Sequence, residues 1–433
     1  MTTIMNGNAE AGSMGAREFE HVTCPFCGLL CDDLTVRSSG GRLAVAANGC
    51  PKAAAGFERP LPEASPRHHG RDVSLGDAIA AAAGMLRGAR LPLIGGLATD
   101  VEGLRAALSL ADRAGGVVDH ALSEAAQANI DVLQTTGWVM STLTEVRNRA
   151  DLVIIVASDI ARFHPRFFER VVAPPLSLID DAPPKRTVVF IGSDIDTAAA
   201  ASPRVGEIVT LACPNARAAE VVAALRATLR GARLAQPTTA GVPASEIAAL
   251  AERCRKASYG VLVWVPPALD PATAGLTVQS IADLARDLTR EQRFVGLSLG
   301  GDEGAASAQS VCCWQSGFPL RVSYASGTPR HDPVRYSIPR MLARGDGDLL
   351  VWIASFTPTL VPPPTTLPTI VLGTPGLAMP AAPSVFIPVG TPGVDHVGRL
   401  IRNDSVVSLP LRNLNRAPLP STAKVLTAIE AAL

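Results

Sequence analysis

The run "DLVIIVASD", residues 151–159, sets five aliphatic side chains in succession between two aspartates. A strand with one wet face would alternate apolar and polar residues, and a helix needs about ten residues or more, so this run reads as a short strand covered on both faces. Strands covered on both faces belong to parallel sheets with helices on either side. Outward from it the same signature recurs: "RLPLIGG" (90–96), "GGVVDH" (115–120), "TVVFIGSD" (187–194), "EIVTLA" (207–212), "YGVLVWVP" (259–266), "FVGLSLGG" (294–301), "DLLVWIAS" (348–355), "TIVLGTP" and "SVFIPVG". Amphipathic stretches such as "VEGLRAALSLADRAG", "ARAAEVVAALRATLRG" and "TVQSIADLARDLTREQR" lie among them, and "AKVLTAIEAAL" closes the chain. The pattern predicts an α/β fold with doubly wound, mostly parallel sheets, whose ligands would sit beyond the carboxyl ends of the strands.

The 433 residues exceed a single small core, so two or three domains are expected. Aromatic residues are only 4 % of a chain that is 47 % hydrophobic, which leaves the core to Ala, Val, Leu and Ile. Lys and Arg number 39, as do Asp and Glu, so no global field draws the chain to nucleic acid or to a membrane surface. The first twenty residues carry neither a basic n-region nor an apolar h-region, and longer apolar stretches are interrupted before membrane-spanning length, so a cytoplasmic protein is expected. "PEASPRHHGRDV" (62–73) reads as a linker and "TPTLVPPPTTLPT" (357–369) as a Pro-rich connection.

Ahead of the sheets lies "HVTCPFCGLLCDDL" (21–34), followed by "AANGC". Cys24, Cys27, Cys31 and Cys50 crowd into one short segment, a pattern that in a reducing compartment favours metal over disulfide. A tight triplet with a distant fourth thiol suits a cuboidal iron-sulfur cluster; zinc more often takes paired C-x2-C knuckles, and inert buried cysteines are the third reading. Cys213, Cys254, Cys312 and Cys313 read as small core residues. The glycines of "LSLGGDEGAAS" (297–307), Gly300 and Gly301 among them, suit either a phosphate or a plain strand-to-helix turn. His164 and Arg166 of "HPR" sit after a strand, where they would meet a dinucleotide phosphate or cap a helix and pair with an acid.

"CPFCGLLCDDL" with Cys50, "NRADLVIIVASD" with "HPR", "WQSGFPLRVSYASGTPRHDP" (314–333) and "VFIPVGTPGVDHVGRLIRNDSVVSLPLR" (385–412) together resemble the B subunits of formylmethanofuran dehydrogenase, members of the molybdopterin oxidoreductases. The resemblance implies a molybdopterin-oxidoreductase-like fold in discontinuous domains with a small Cys-bearing N-terminal piece. Its implied bounds are a polar tail over 1–16, the Cys segment over 17–62, a first α/β domain from 63–138 with 331–433, and an inserted second domain over 139–330. In the family the cysteines hold a 4Fe-4S cluster, and a cysteine directly before a histidine ligates tungsten or molybdenum carried by two pterin dinucleotides. Matching Asp119, Ser123 and Gly137 of this sequence to that segment puts Ala125 at the cysteine and Ala126 at the histidine. A methyl group neither ligates a metal nor moves a proton. Ser123 and Glu124 offer oxygens but fall outside the matched position.

With these positions degenerate, the chain most resembles the B subunits of bacterial formyltransferase/hydrolase complexes, and that resemblance implies a non-catalytic scaffold, without tungsten or molybdenum pterin, in one-carbon metabolism linked to tetrahydromethanopterin and methylofuran. The implied partners are the A, C and D subunits, C most closely, and the cysteines would hold 4Fe-4S, zinc or nothing. His396, Arg399 and Arg402 are placed on the former cofactor side, facing a vacated cavity or a partner. The alternatives are an active tungsten or molybdenum subunit and a free-standing zinc or iron-sulfur protein.

Overall fold

The computed structural model describes residues 16–179 and 185–433. The expected polar tail, apart from Ala16, lies outside them. Leu152–Val156 is the central strand of a five-stranded sheet, in which Val205–Leu211, Arg186–Ile191, Leu152–Val156, Tyr259–Trp264 and Arg293–Ser298 lie side by side. All its pairings are parallel. Both faces of Leu152–Val156 are buried as its composition demands. Leu152, Ile154 and Val156 pack among the helices Ala218–Leu229, Ala244–Lys256 and Ala274–Leu288, while Val153 and Ile155 share a core with Phe167, Phe168 and the cysteine segment.

A nine-stranded sheet takes its parallel centre from Val117–Val118, Pro92–Ala98, Leu349–Ala354, Thr369–Gly373 and Val385–Pro388. Two-residue strands add antiparallel at its edges: Val322–Ser323 and Arg330–His331 on one side, Arg67–His68 and Arg71–Asp72 on the other. The stretch read as a linker thus forms an edge hairpin. Its turn residues, His69 and Gly70, take positive φ and fold the chain straight back, which lets so short a segment pair antiparallel. Counted along the chain, the parallel strands run 3-2-1-4-5 in the smaller sheet and 2-1-3-4-5 in the centre of the larger. Both orders reverse once, and that reversal opens a crevice beyond the carboxyl ends of the two diverging strands.

The N-terminal piece is a three-stranded antiparallel sheet of Arg17–Val22, Leu34–Ser39 and Arg42–Ala47. Gly40 and Gly41, both at positive φ, close its second hairpin in the two-residue turn that matches strand twist. Helix Pro51–Phe57 follows. A further hairpin, Gly398–Ile401 with Ser408–Leu411, lies near the C-terminal end of the chain. Among the described residues no helix is long and apolar enough to cross a membrane.

Candidate cysteine centre and the two sheet crevices

Residues 23–33 fold back on themselves through hydrogen bonds from the Cys24 amide to the Cys31 carbonyl (2.8 Å) and from the Leu30 amide to the Cys27 carbonyl (3.1 Å). This gathers Cys24, Cys27 and Cys31, all buried, into one cluster. Cys50, half-buried, is the N-cap of Pro51–Phe57 and lies within electrostatic reach of Cys24 and Cys31. Burial drives the Cys24 and Cys27 thiols well above their ordinary range, and each neighbouring thiol pushes further. Burial also lifts Cys31, to about 11, against the opposing charges of Arg170 and Arg166. Such thiols are neutral at pH 7 unless a cation replaces their protons. Among the described residues no three His, Cys, Asp or Glu side chains form a site for a single metal ion.

Arg166 is buried and forks onto Asp33 at 2.7 and 2.8 Å, onto Glu169, and onto the Asn48 carbonyl. Arg170 pairs with Asp32 and Asp33. The arginine of "HPR" therefore binds the "CDD" acids of the cysteine segment to the five-stranded domain. His164 ends the short helix Ile160–Phe163 and is buried against the Leu299 backbone. Burial lowers its pKa to about 4.

The glycine turn after Arg293–Ser298 receives backbone. A Cβ on Gly28 would stand 1.8 Å from the Gly300 carbonyl oxygen, and Gly301 faces the Gly28 Cα. The Gly28 amide donates to Asp302, and its carbonyl accepts from the Asn403 amide at 3.0 Å. Asp302 in turn holds Lys52 at 2.5 Å. Of the two readings of this glycine turn, phosphate site or plain strand-to-helix turn, the close backbone approach here comes from the cysteine loop.

Both crevices are stitched by a buried serine. At the smaller sheet, Ser158 donates to the Val156 carbonyl and accepts from the Val265 amide at 2.9 Å. At the larger, the amide and hydroxyl of Ser355 both donate to the Ala98 carbonyl at 2.8 Å. Above Ser355 the side chains of Leu30, Phe356, Leu400 and Leu411 form a small apolar core with Ala98. The hairpin carrying Leu400 comes so near that a Cβ on Gly398 would meet the Asp100 carboxylate at 2.4 Å. Arg399 on that hairpin is exposed, Arg402 pairs with Asp404, and His396 lies against the Val397 and Gly390 carbonyls.

Ala125 and Ala126 are half-buried in helix Ser123–Thr135. The helix is pinned over the carboxyl edge of the five-stranded sheet by Asn129, which accepts from the Trp264 indole (2.9 Å) and donates to Ser298 (2.7 Å). Ser123 accepts from the His120 amide, and Glu124 pairs with Arg321 and Arg340. Sequence reading passes over His120, which stands beside Asp119. Its Nδ1 accepts from the Leu122 amide and its Nε2 donates to the Glu303 carbonyl, and burial holds its pKa near 4.

Glu303 is equally missed, although it lies within the quoted glycine turn. It adopts a left-handed backbone (φ 53°), and its Oε1 accepts from Thr357 while its Oε2 has no partner. Burial pushes its carboxyl up to about 7, against the Thr357 hydrogen bond and the charges of Lys52 and Arg59, with Asp302 adding to the rise. Between about pH 4.5 and 7 the folded chain keeps a proton here that the unfolded chain has released, so this contribution to stability falls as pH rises. Glu303→Gln removes the titration. The variant should gain on the wild type by on the order of 3 kcal/mol between about pH 4 and pH 8, read from urea unfolding at both. Parallel stability curves would disprove the buried titration.

Two doubly wound sheets, one all-parallel and one mixed, with a small antiparallel cysteine-bearing piece ahead of them, define a mixed α/β subunit. No family model matches the chain. It is 31 % identical over 333 residues to the Fhc B subunit of the formyltransferase/hydrolase complex of Methylorubrum extorquens, covering 76 % of this chain and 85 % of that one. It is 27 % identical over 403 residues to the B subunit of the tungsten-containing formylmethanofuran dehydrogenase 2 of Methanocaldococcus jannaschii, covering 89 % and 91 %. Among solved structures it matches a chain of the formyltransferase/hydrolase complex of Methylorubrum extorquens, crystallised with methylofuran, at a TM-score of 0.70 and 27 % identity, covering 85 % of this chain and 98 % of that one. The chain belongs to the family formed by the B subunits of formylmethanofuran dehydrogenase and of the formyltransferase/hydrolase complex.

Proposed function

We propose that the chain is the non-redox B subunit of a formyltransferase/hydrolase complex, a scaffold for the A, C and D subunits in the cytoplasmic oxidation of formaldehyde to formate by way of tetrahydromethanopterin and methylofuran. What supports this reading is that the side on which the family resemblance would put a cofactor is packed with the chain's own residues. The glycine turn at Gly300 and Gly301 is packed against Gly28, and the crevice over Ser355 is filled by Leu30, Phe356, Leu400 and Leu411. Those residues do not fit a pterin dinucleotide, and Ala125 and Ala126 bring neither a ligand nor a proton carrier to it. C is assigned as the nearest partner by family resemblance.

The cysteine centre does fit a metal-thiolate group. Three buried thiols with Cys50 in electrostatic reach, and Lys52, Arg166 and Arg170 close enough to offset thiolate charge, suit a 4Fe-4S cluster better than a single zinc ion. Such a cluster would be a cross-link between Cys50 and the loop at 24–31, adding binding free energy to folding.

The test is elemental analysis, with release and fluorescence of oxidised pterin, on the protein purified with its native partners. The expected result is no tungsten, molybdenum or pterin, with about four irons per chain. Stoichiometric tungsten or molybdenum with pterin would overturn the scaffold reading in favour of an active oxidoreductase subunit. Zinc or no metal would overturn the assignment of the cysteine site alone.

A further inference from the structure

The turn "GGDEG" (300–304) sends two adjacent acids in different directions. Asp302 serves the cysteine piece, where it accepts from the Gly28 amide (3.4 Å) and holds Lys52 at 2.5 Å. Glu303 serves the nine-stranded sheet. Its Oε1 accepts from the hydroxyl of Thr357 (2.7 Å), just past Leu349–Ala354, and its backbone carbonyl accepts from His120. Gly301, Glu303 and Gly304 all lie at positive φ. Glycine takes that conformation freely, but a glutamate holds it only while its surroundings oblige it. Those surroundings are tight: a Cβ on Gly304 would stand 2.8 Å from the Thr99 carbonyl oxygen, and one on Gly301 would stand 3.1 Å from the Gly28 Cα.

The Glu303 carboxyl is the poorly satisfied member of the pair. Among the described residues its Oε2 has no hydrogen-bond partner, and no cation bonds either oxygen. The two nearby cations are committed elsewhere: Lys52 to Asp302, and Arg59 to the Phe356 carbonyl and the Thr374 hydroxyl. Of the other titratable groups around the turn, His120 meets only the backbone carbonyl, Asp100 accepts from the Gly103 amide and faces His396, and His164 faces Asp302. An ionised Glu303 would be a buried charge with a single hydrogen bond, and burial accordingly holds its carboxyl up to about 7. Opening the turn would wet this carboxyl and release the left-handed backbone in one motion. The same motion would lift Gly300 and Asp302 from Gly28, since they belong to the same turn.

We propose that the Glu303 proton is a latch on the cysteine centre: while it is held the glycine turn stays shut on the loop at 24–31, and its loss lets turn and loop open together. The closed turn binds the proton more tightly than the open one does. Closure is therefore strongest in acid, weakens as pH rises from about 4.5 to about 7, and changes little above that. Access to the buried thiols widens toward neutral pH. The latch depends neither on the scaffold reading nor on what the cysteines hold.

The test is hydrogen exchange by mass spectrometry on the full chain, wild type against Glu303→Gln at each pH, so that the intrinsic pH dependence of exchange cancels in the ratio. The ratio of wild-type to variant rates in peptides covering 24–31 and 299–305 should rise roughly tenfold or more from about pH 5 to about pH 7.5, and stay flat across Leu152–Val156. If Glu303→Gln fails to fold, Thr357→Val reads the same latch. It removes the hydrogen bond that favours the ionised carboxyl, so the rise in exchange, corrected for its intrinsic pH dependence, should run on to higher pH than in the wild type. A flat ratio, a rise shared with Leu152–Val156, opening at 299–305 without opening at 24–31, or a Thr357→Val profile that levels where the wild type does would each overturn the proposal.

Discussion

Gly28→Ala is expected to destabilise the protein by about 3 kcal/mol or more, and to raise the reactivity of Cys24, Cys27 and Cys31 toward a thiol reagent. The added methyl would stand 1.8 Å from the Gly300 carbonyl oxygen and 3.0 Å from the Asn403 Cβ. The nearest obstacle is backbone, so no rotamer change relieves the clash, and the loop must lift from the turn. Lifting it breaks the bond from the Asn403 amide and uncovers Leu30 from the core it shares with Phe356 and Leu400. Urea unfolding followed with thiol titration reads both effects. An unchanged midpoint with buried thiols would show that the cysteine loop is not seated on the glycine turn.

Arg166→Met should cost about 1–3 kcal/mol, because the guanidinium is buried and its hydrogen bonds are lost while Asp33 and Glu169 are part-exposed and Asp33 keeps Arg170. The guanidinium has five donors, and they reach Asp33, Glu169 and the Asn48 carbonyl at once. Arg166→Lys keeps the charge but not the fork, so it should recover only part of the loss. Burial raises the pKa of Asp33, but the hydrogen bond from Arg166 and the charges of Arg170 and Arg166 outweigh it and hold the carboxyl below its ordinary value. Its stabilisation is therefore present above about pH 4 and fades as pH falls further. The gap between wild type and Arg166→Met should narrow in acid, and equal stability at pH 7 would refute the tie.

The parallel strands were legible because burial on both faces forces an unbroken aliphatic run, as in Leu152–Val156, and nothing else needs one. The thiol cluster was legible because Cys24, Cys27 and Cys31 are local. The strand Arg17–Val22 was not, since "REFEHV" is mostly exposed and carries no apolar run. Partnerships across the fold left no local trace. Nothing near Arg166 names Asp33, nothing near Arg416 names Asp395, and nothing in "GGDEG" shows that Glu303 turns left-handed to give its carbonyl to His120. Ala125 and Ala126 could be singled out only by resemblance, because two alanines in a helix carry no signal of their own.

The seat of the cysteine loop also bears on how the chain is made. Gly28 meets Asp302, 274 residues on, and the Glu20 carbonyl accepts from Arg412, 392 residues on. This segment thus finds its place only after partners nearly three hundred and four hundred residues further on have been made, even though domains generally fold from the N-terminal end as they emerge. Throughout synthesis its thiols are open to oxidants and to loose metal ions. Thiols that stay reduced until Asp302 and Arg412 have been made are the ones that can be seated.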